Sequence, residues 1–484
     1  MNAEQTSRLT PPDTDEATLD AVVGAAAEAF LGWSGTPRSK RAAALDAIAD
    51  GLEVESASIV SLAARETALG EARVRSELIR TTFQLQMFAD LLRDGSYLRP
   101  VVEPADANHP VAPSPDLRLI SRPLGPVAVF AASNFPLAFS VAGTDTASAL
   151  AAGCSVVVKA HPGHPQTSEL VGRITSECLQ QSGAPTGTFA VVHGFAAGPA
   201  LVRHPMIRAA SFTGSVRGGR ALFDIAASRP DPIPFFGELG SLNSLTVLPG
   251  AATTRGGAIG ADLADSVLLG GGQFCTKPGL LLLPSGGGGA EVTNQLVAKF
   301  CSAPPVMMLT SQVSDGYEAG RRELAATAGV TVLAEGAGAE ERSVATLFEV
   351  TPGPVPDLAF EECFGPTAVV ATYDSPDELL TIARRLPGAL TGTVHAEPED
   401  RPLVERLLDE LAPRVGRVIF NQYPTGVSVS AAMEHGGPYP ASTDVQHTSV
   451  GAAAIYRFLR PISFQNAPAY ALPDELREPN PPTT

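Results

Sequence analysis

Positive charge is scarce in this 484-residue chain: 34 lysines and arginines face 51 aspartates and glutamates, a formal net charge of −17. That balance excludes nucleic acid as a partner, because phosphate backbones are bound through basic surface. Any anionic ligand must instead be met by local donors. Cysteine is sparse too. Cys154, Cys178, Cys275, Cys301 and Cys363 stand singly, without CxxC spacing, which excludes a disulfide framework and points to free thiols in a reducing compartment, the cytoplasm. No run of about twenty apolar residues occurs, so no membrane span is expected. The N-terminal MNAEQTSRLTPPDTDEATLD is polar and acidic, unlike a secretory signal. His161 and His164 are close in sequence but lack a third ligand cluster, so no metal site is expected. Internal repeats and heptads are absent as well, which excludes solenoids and coiled coils. What is plentiful is hydrophobic sequence, 44% with mean hydropathy +0.11, enough for more than one core at this length.

Apolar residues recur at three- and four-residue spacing from about Thr18 to Leu98, which predicts a helical layer. A proline-rich piece, Val101 to Leu119, has no helical period and reads as an extended arm suited to pairing with another subunit. After Ser121 short apolar strands (GPVAVFAAS, CSVVVKA, GTFAVVHG) alternate with helices, the signature of parallel βαβ units. The strand Ala209 to Phe212 runs into Thr213, Gly214 and Ser215 before a helix, a turn that can offer N-terminal amides to a phosphate. A second α/β block begins near Glu238 with strands LLLLP, VTVLAEG, AVVATY and RVIFNQ, and the tail after about Arg460 is extended. Gly286 to Gly289 lacks the lysine and serine of a P-loop and reads as a flexible strand-to-helix connection.

Two segments carry chemistry. GGGQFCT, Gly270 to Thr276, sets a cysteine on a glycine-rich loop whose backbone can approach a substrate, and FGELGSLNS, Phe236 to Ser244, holds a glutamate that could fold back as its base. One nucleophile and one base suggest covalent catalysis.

Six separated motifs stand in order: ASNFP (Ala132 to Pro136), VVVKAHP (Val156 to Pro162), FTGS (Phe212 to Ser215), GELG (Gly237 to Gly240), GQFC (Gly272 to Cys275) and EECFGP (Glu361 to Pro366). Together they resemble the aldehyde dehydrogenase superfamily from the N-terminal helices to about residue 468. The resemblance implies two Rossmann-like α/β domains with an extended oligomerisation arm, a homodimer or homotetramer, and a small-molecule aldehyde substrate. It divides the chain into a helical layer (1–100), an oligomerisation segment (101–120), a dinucleotide-binding domain (121–237), a catalytic domain (238–430), a return to the cofactor domain (431–459) and an oligomerisation tail (460–484). The run from Phe420 to Asn466, with ELGSLNS and GQFCTKPG, is similar to the branch of 2-oxoglutarate semialdehyde (2,5-dioxopentanoate) dehydrogenases. Two positions depart from it: Lys277 stands where asparagine is more usual, and Gln86 where arginine is.

The resemblance also implies roles. Cys275 is the nucleophile, with Lys277 as a cationic neighbour that would help form the thiolate. The Asn134 side-chain amide and the Cys275 backbone N–H hold the oxyanion. Glu238 activates the water that hydrolyses the thioester, and a raised pKa would suit it to that task. Glu362 holds the nicotinamide-ribose hydroxyls and Phe364 packs by the nicotinamide ring. Lys159 meets the adenosine ribose, near the turn of Gly214 and Ser215. Pro162 and Gly163 occupy the region where NAD-specific members place a glutamate that repels a 2′-phosphate, and Arg217 adds a positive group. NADP is therefore expected, with NAD possible. His435 and Gln84 are the polar candidates for the remote end of the substrate. Two other readings stay open: a fatty or other apolar aldehyde dehydrogenase, and a catalytically silent structural paralogue.

Overall fold

The computed structural model describes residues 11–477 except Pro352, so the outermost parts of the expected N-terminal layer and C-terminal tail lie outside the described residues. Four helices open the chain: α1 (Glu16–Ser34), α2 (Arg38–Val54), α3 (Ser56–Thr67) and α4 (Glu71–Asp94). Asp15 caps α1 by accepting the Thr18 N–H, and Gly95, at φ 81°, ends α4 by donating to the Leu91 carbonyl. Their inward stripes bury Leu45, Ile48, Leu52, Phe88 and Leu92 in one core with the strands that follow.

Strands β1 (Val101–Glu103) and β2 (Leu117–Pro123) flank the expected arm. The first parallel sheet then forms from β3 (Val127–Phe130), β4 (Val156–Lys159), β5 (Phe189–Val192), β6 (Ala209–Thr213) and β7 (Phe235–Glu238), with helices α5 (Thr144–Ala152), α6 (Pro165–Gln181), α7 (Ala197–Arg203) and α8 (Val216–Ser228) between them. All pairings are parallel and the order is β5-β4-β3-β6-β7. The chain winds outward from β3, then crosses back to β6. The crevice beyond the carboxyl ends of β3 and β6 is thus a topological switch point, where open α/β sheets bind nucleotides.

The second sheet comprises β8 (Asn243–Val247), β9 (Pro278–Pro284), β10 (Val330–Glu335), β11 (Thr346–Val350), β12 (Thr367–Tyr373), β13 (Ala389–His395) and β14 (Val415–Phe420), in the order β10-β11-β12-β9-β8-β13-β14, parallel except at β10. Its central strands are buried on both faces, which is why LLLLP reads as an unbroken apolar run. Helices α9 (Pro249–Leu268) and α10 (Gly287–Cys301) cover one face. The glycine run expected to be a flexible connection is instead largely the first turn of α10. A Cβ on Gly288 would lie 2.7 Å from the Ala252 carbonyl carbon, so the glycines allow close packing of α10 on α9. Strand β15 (Leu459–Gln465) pairs antiparallel with β2 along its whole length and completes a three-stranded sheet with β1.

Candidate active site

Cys275 lies on the loop between α9 and β9, and three consecutive glycines there, Gly270, Gly271 and Gly272, take φ of 58°, 68° and 68°. Only glycine adopts this left-handed run without strain. At Gly272 a Cβ would also strike the Gly365 carbonyl of EECFGP, so the cysteine loop rests directly on that turn. Asn243 clamps the loop from β8: its amide donates to the Cys275 carbonyl at 2.8 Å and the Lys277 carbonyl at 3.1 Å, while its oxygen accepts the Thr391 N–H. Asn134, on the loop after β3, donates its amide to the Gln273 carbonyl at 3.1 Å, which brings it against the cysteine loop. That Asn134 loop is itself pinned by buried Glu77 on α4, which accepts the Leu137 and Ala138 N–H groups at 2.8 and 2.9 Å.

Glu238 ends β7, and the returning segment of residues 441–443 adds to that strand through Leu239 N–H to the Ala441 carbonyl and Thr443 N–H to the Gly237 carbonyl. The same return brings His435 inward. Its backbone route is tight: a Cβ on Gly437, at φ 149°, would strike the Ala389 carbonyl at the start of β13. The result is a triangle of buried chemistry. His435 Nε2 is 2.9 Å from Glu238 Oε1 and 3.6 Å from Cys275 Sγ, and Ser449 donates to Glu238 Oε2 at 2.7 Å. His435, expected at the remote end of the substrate, is instead against the sulfur. One polar atom each from Glu238, Cys275 and His435 falls within 4.8 Å of the others, so the three side chains form one buried cluster.

Two electrostatic expectations are overturned. Burial pushes the Glu238 carboxyl upward, but the charge of the His435 ring beside it and the contacts from Ser449 and Cys275 outweigh it, so its pKa is lowered, not raised. Lys277 is not the cation beside the thiol. Its buried ammonium donates to the Cys363 and Thr367 carbonyls at 3.1 and 2.7 Å and acts on Glu362. Burial pushes the Cys275 thiol well above its ordinary value, the carboxylates of Glu238 and Glu362 add to that, and the opposing cation is Arg80.

The cofactor candidates line the carboxyl ends of the first sheet. Lys159 is the last residue of β4 and half-buried; Gly214 and Ser215 follow β6, with Ser215 capping α8 by accepting the Gly218 N–H; Arg217 is exposed in the first turn of α8. Glu362 accepts the Ser241 N–H at 3.1 Å, and burial raises it to about 7, with Lys277 opposing. A Cβ on Gly240 would meet its carboxylate, so the GELG turn and EECFGP are packed together. Phe364 is half-buried. An ammonium, helix N-terminal amides and a carboxylate spread along a switch-point crevice fit the phosphates and ribose hydroxyls of a dinucleotide.

Gln86 is exposed, and Gln84 is buried with its amide directed at the Ala138 carbonyl. The cations near the thiol come from elsewhere. Arg73, Arg80 and Arg417 each interact electrostatically with Cys275 and none is within ion-pair distance of a carboxylate among the described residues. Arg80 Nε and Nη2, Arg417 Nε and Arg73 Nη1 are buried N–H groups without partners there. Between them Phe135, Phe139, Val427, Val429 and Met433 form a small apolar cluster. No sequence motif marks these arginines.

Residues 2–457 match the family described as "Aldehyde dehydrogenase family". The chain is similar to "Alpha-ketoglutaric semialdehyde dehydrogenase 2" of Azospirillum brasilense, 43% identical over 472 residues, covering 96% of this chain and 90% of that protein. It is equally similar to an "Alpha-ketoglutaric semialdehyde dehydrogenase" of Acinetobacter baylyi, 43% identical with the same coverage. Among solved structures, aldehyde dehydrogenase C of Pseudomonas syringae, a mutant complexed with NAD+ and octanal, superimposes with TM-score 0.77 at 23% identity, covering 93% of this chain and 90% of that one.

Proposed function

This chain belongs to the aldehyde dehydrogenase family, and from that premise we propose that it oxidises 2,5-dioxopentanoate (2-oxoglutarate semialdehyde) to 2-oxoglutarate through a covalent intermediate on Cys275, with NADP preferred. The observation that carries the substrate half is the set of unpaired arginines, Arg80 and Arg417, near Cys275 in a chain of net charge −17. Backbone carbonyls take part of each guanidinium, Val427 from Arg80 and Gly426 and Pro424 from Arg417, and the buried N–H groups left over, Arg80 Nε and Nη2 and Arg417 Nε, are costly unless a ligand anion completes them; a carboxylate is the planar anion they match.

Cys275 attacks the aldehyde carbon, and the Asn134 amide with the Cys275 N–H receives the oxyanion. NAD(P), when bound, supplies the hydride acceptor. Lys159, Ser215 and Glu362 bind and orient it. Glu238, ionised near neutrality because His435 and Ser449 support its charge, then draws the proton from the water that cleaves the thioester. For the 2′ position, Pro162, Gly163 and exposed Arg217 favour a phosphate. A second cofactor reading rests on Asp13, whose carboxylate interacts with Lys159 and packs against Gly194, and which would disfavour that phosphate.

The test is a kinetic panel. The kcat/KM for 2,5-dioxopentanoate should exceed that for hexanal and longer alkanals, and Arg80→Gln should lower it about 10- to 100-fold more than it lowers that for pentanal, the value of one charge-assisted contact, since the pentanal loss reports only the Arg80 charge acting on Cys275. Long alkanals winning would transfer the substrate assignment to the apolar cluster around Phe139 and Met433 and leave the Cys275 chemistry in place.

A further inference from the structure

The buried imidazole of His435 has no assigned task, although it stands against both other reacting groups. Nε2 stands between Cys275 Sγ at 3.6 Å and Glu238 Oε1 at 2.9 Å. That approach is not aligned as a hydrogen bond, since Glu238 Oε1 has no hydrogen-bond partner among the described residues, so Nε2 is not committed as a donor to the carboxylate. The residue is anchored through its backbone and one ring face, while its Nδ1 has no partner among the described residues. Its backbone N–H donates to Thr448 Oγ1 at 2.9 Å, and Phe139 packs against the ring with centroids 6.0 Å apart. Arg80 lies on the far face of Phe139, 5.6 Å from that ring. Behind His435, a small cavity is lined by Asp444, His447 and Arg457, and Glu434 is the adjacent carboxylate in the chain.

We infer that His435 is a third catalytic residue: with Glu238 it takes the proton of the Cys275 thiol as the sulfur attacks, and its Nε2–H then stands as donor beside the sulfur. The S–H bond breaks, the sulfur's electron pair forms the S–C bond to the aldehyde, and one proton is added at His435 Nε2 beside the Glu238 carboxylate, so that the charge of these two side chains together goes from −1 to 0. No oxidant or co-reactant is needed for this step. The need for it follows from the surroundings of the sulfur. Burial and the carboxylates of Glu238 and Glu362 hold Cys275 as a thiol, and Lys277, the cation nearest in sequence, is turned away onto backbone carbonyls. A thiol so placed needs an adjacent acceptor to become nucleophilic. The inference rests on Cys275 being the nucleophile proposed above.

The test uses the full-length enzyme without aldehyde or cofactor, so that it is independent of substrate identity: the rate of Cys275 alkylation by iodoacetamide is measured against pH, followed by the rate of the first equivalent of reduced cofactor with 2,5-dioxopentanoate. His435→Gln keeps an amide donor of similar reach but cannot take up the proton; His435→Ala loses both. Expected is a fall in alkylation rate at neutral pH and in the first-turnover rate of about 100-fold in both variants, with the alkylation profile moved to higher pH. Cofactor binding, followed by fluorescence titration, should persist. If His435→Gln restores the wild-type alkylation profile, His435 only positions its neighbours and the inference is overturned. If Cys275→Ala retains turnover, it is the assignment of the nucleophile that fails, a different result from the first.

Discussion

At the residue scale, the roles of Cys275 and Glu238 separate by experiment. Cys275→Ala should abolish aldehyde oxidation while cofactor still binds, because the proposed covalent intermediate forms on the sulfur, which lies outside the Lys159 and Ser215 end of the crevice; residual turnover with an intact titration would contradict this. Glu238→Gln should cost steady-state turnover far more than the rate of the first equivalent of reduced cofactor, which rapid mixing resolves. Glu362 offers a pH prediction. Its carboxyl titrates at about 7, and Lys277 holds it from going higher. The ionised form is the better acceptor of ribose hydroxyls, so cofactor affinity should strengthen as pH rises through about 7, and Lys277→Met should move that inflection upward. A downward or absent shift in cofactor Kd against pH would refute the pairing. Arg217→Glu should turn cofactor preference toward NAD by about one to two orders of magnitude, the worth of a charge-assisted phosphate contact. A wild-type preference for NAD would instead favour the Asp13 reading.

At the scale of elements, the site depends on loops whose shape only glycine permits. Gly272→Ala combines a left-handed backbone with a Cβ driven into the Gly365 carbonyl. It should destabilise the fold by about 2 kcal/mol or more and displace Cys275, seen as a lower Tm and lost turnover; an unchanged Tm would mean that the loop relaxes freely. These loops were legible beforehand. GGGQFCT, ASNFP and GELG are local patterns, and local backbone demands write themselves into adjacent residues. The partners that hold them were not legible: Asn243 on β8, Glu77 on α4 and Ser449 in the returning segment act across long stretches of chain, and nothing beside them in sequence marks the task. The lowered pKa of Glu238 was missed for the same reason, since its cause, His435, is remote in sequence.

For the whole molecule, β15 offers a seven-residue strand that uses one ladder on β2 and lies at the edge of its sheet. An edge of that length invites pairing unless another copy covers it. Sedimentation equilibrium should therefore return a dimer or tetramer, and a monomer at micromolar concentration would remove the arm's proposed role. No helix among the described residues is long and apolar enough to cross a membrane, in keeping with the absence of long apolar runs. By itself the sequence determined the α/β class, the helical layer and the alternation of strands and helices along the chain, and it singled out Cys275 as the candidate nucleophile, because periodicity, turn glycines and apolar runs are properties of neighbouring residues. Only the tertiary structure decided which groups surround the sulfur. Cys275 and His435 are 160 residues apart, and Arg80 and Arg417 arrive from different layers. Their charges act through space at short range in a buried site, and the distances that set those interactions exist only once the sheets have packed.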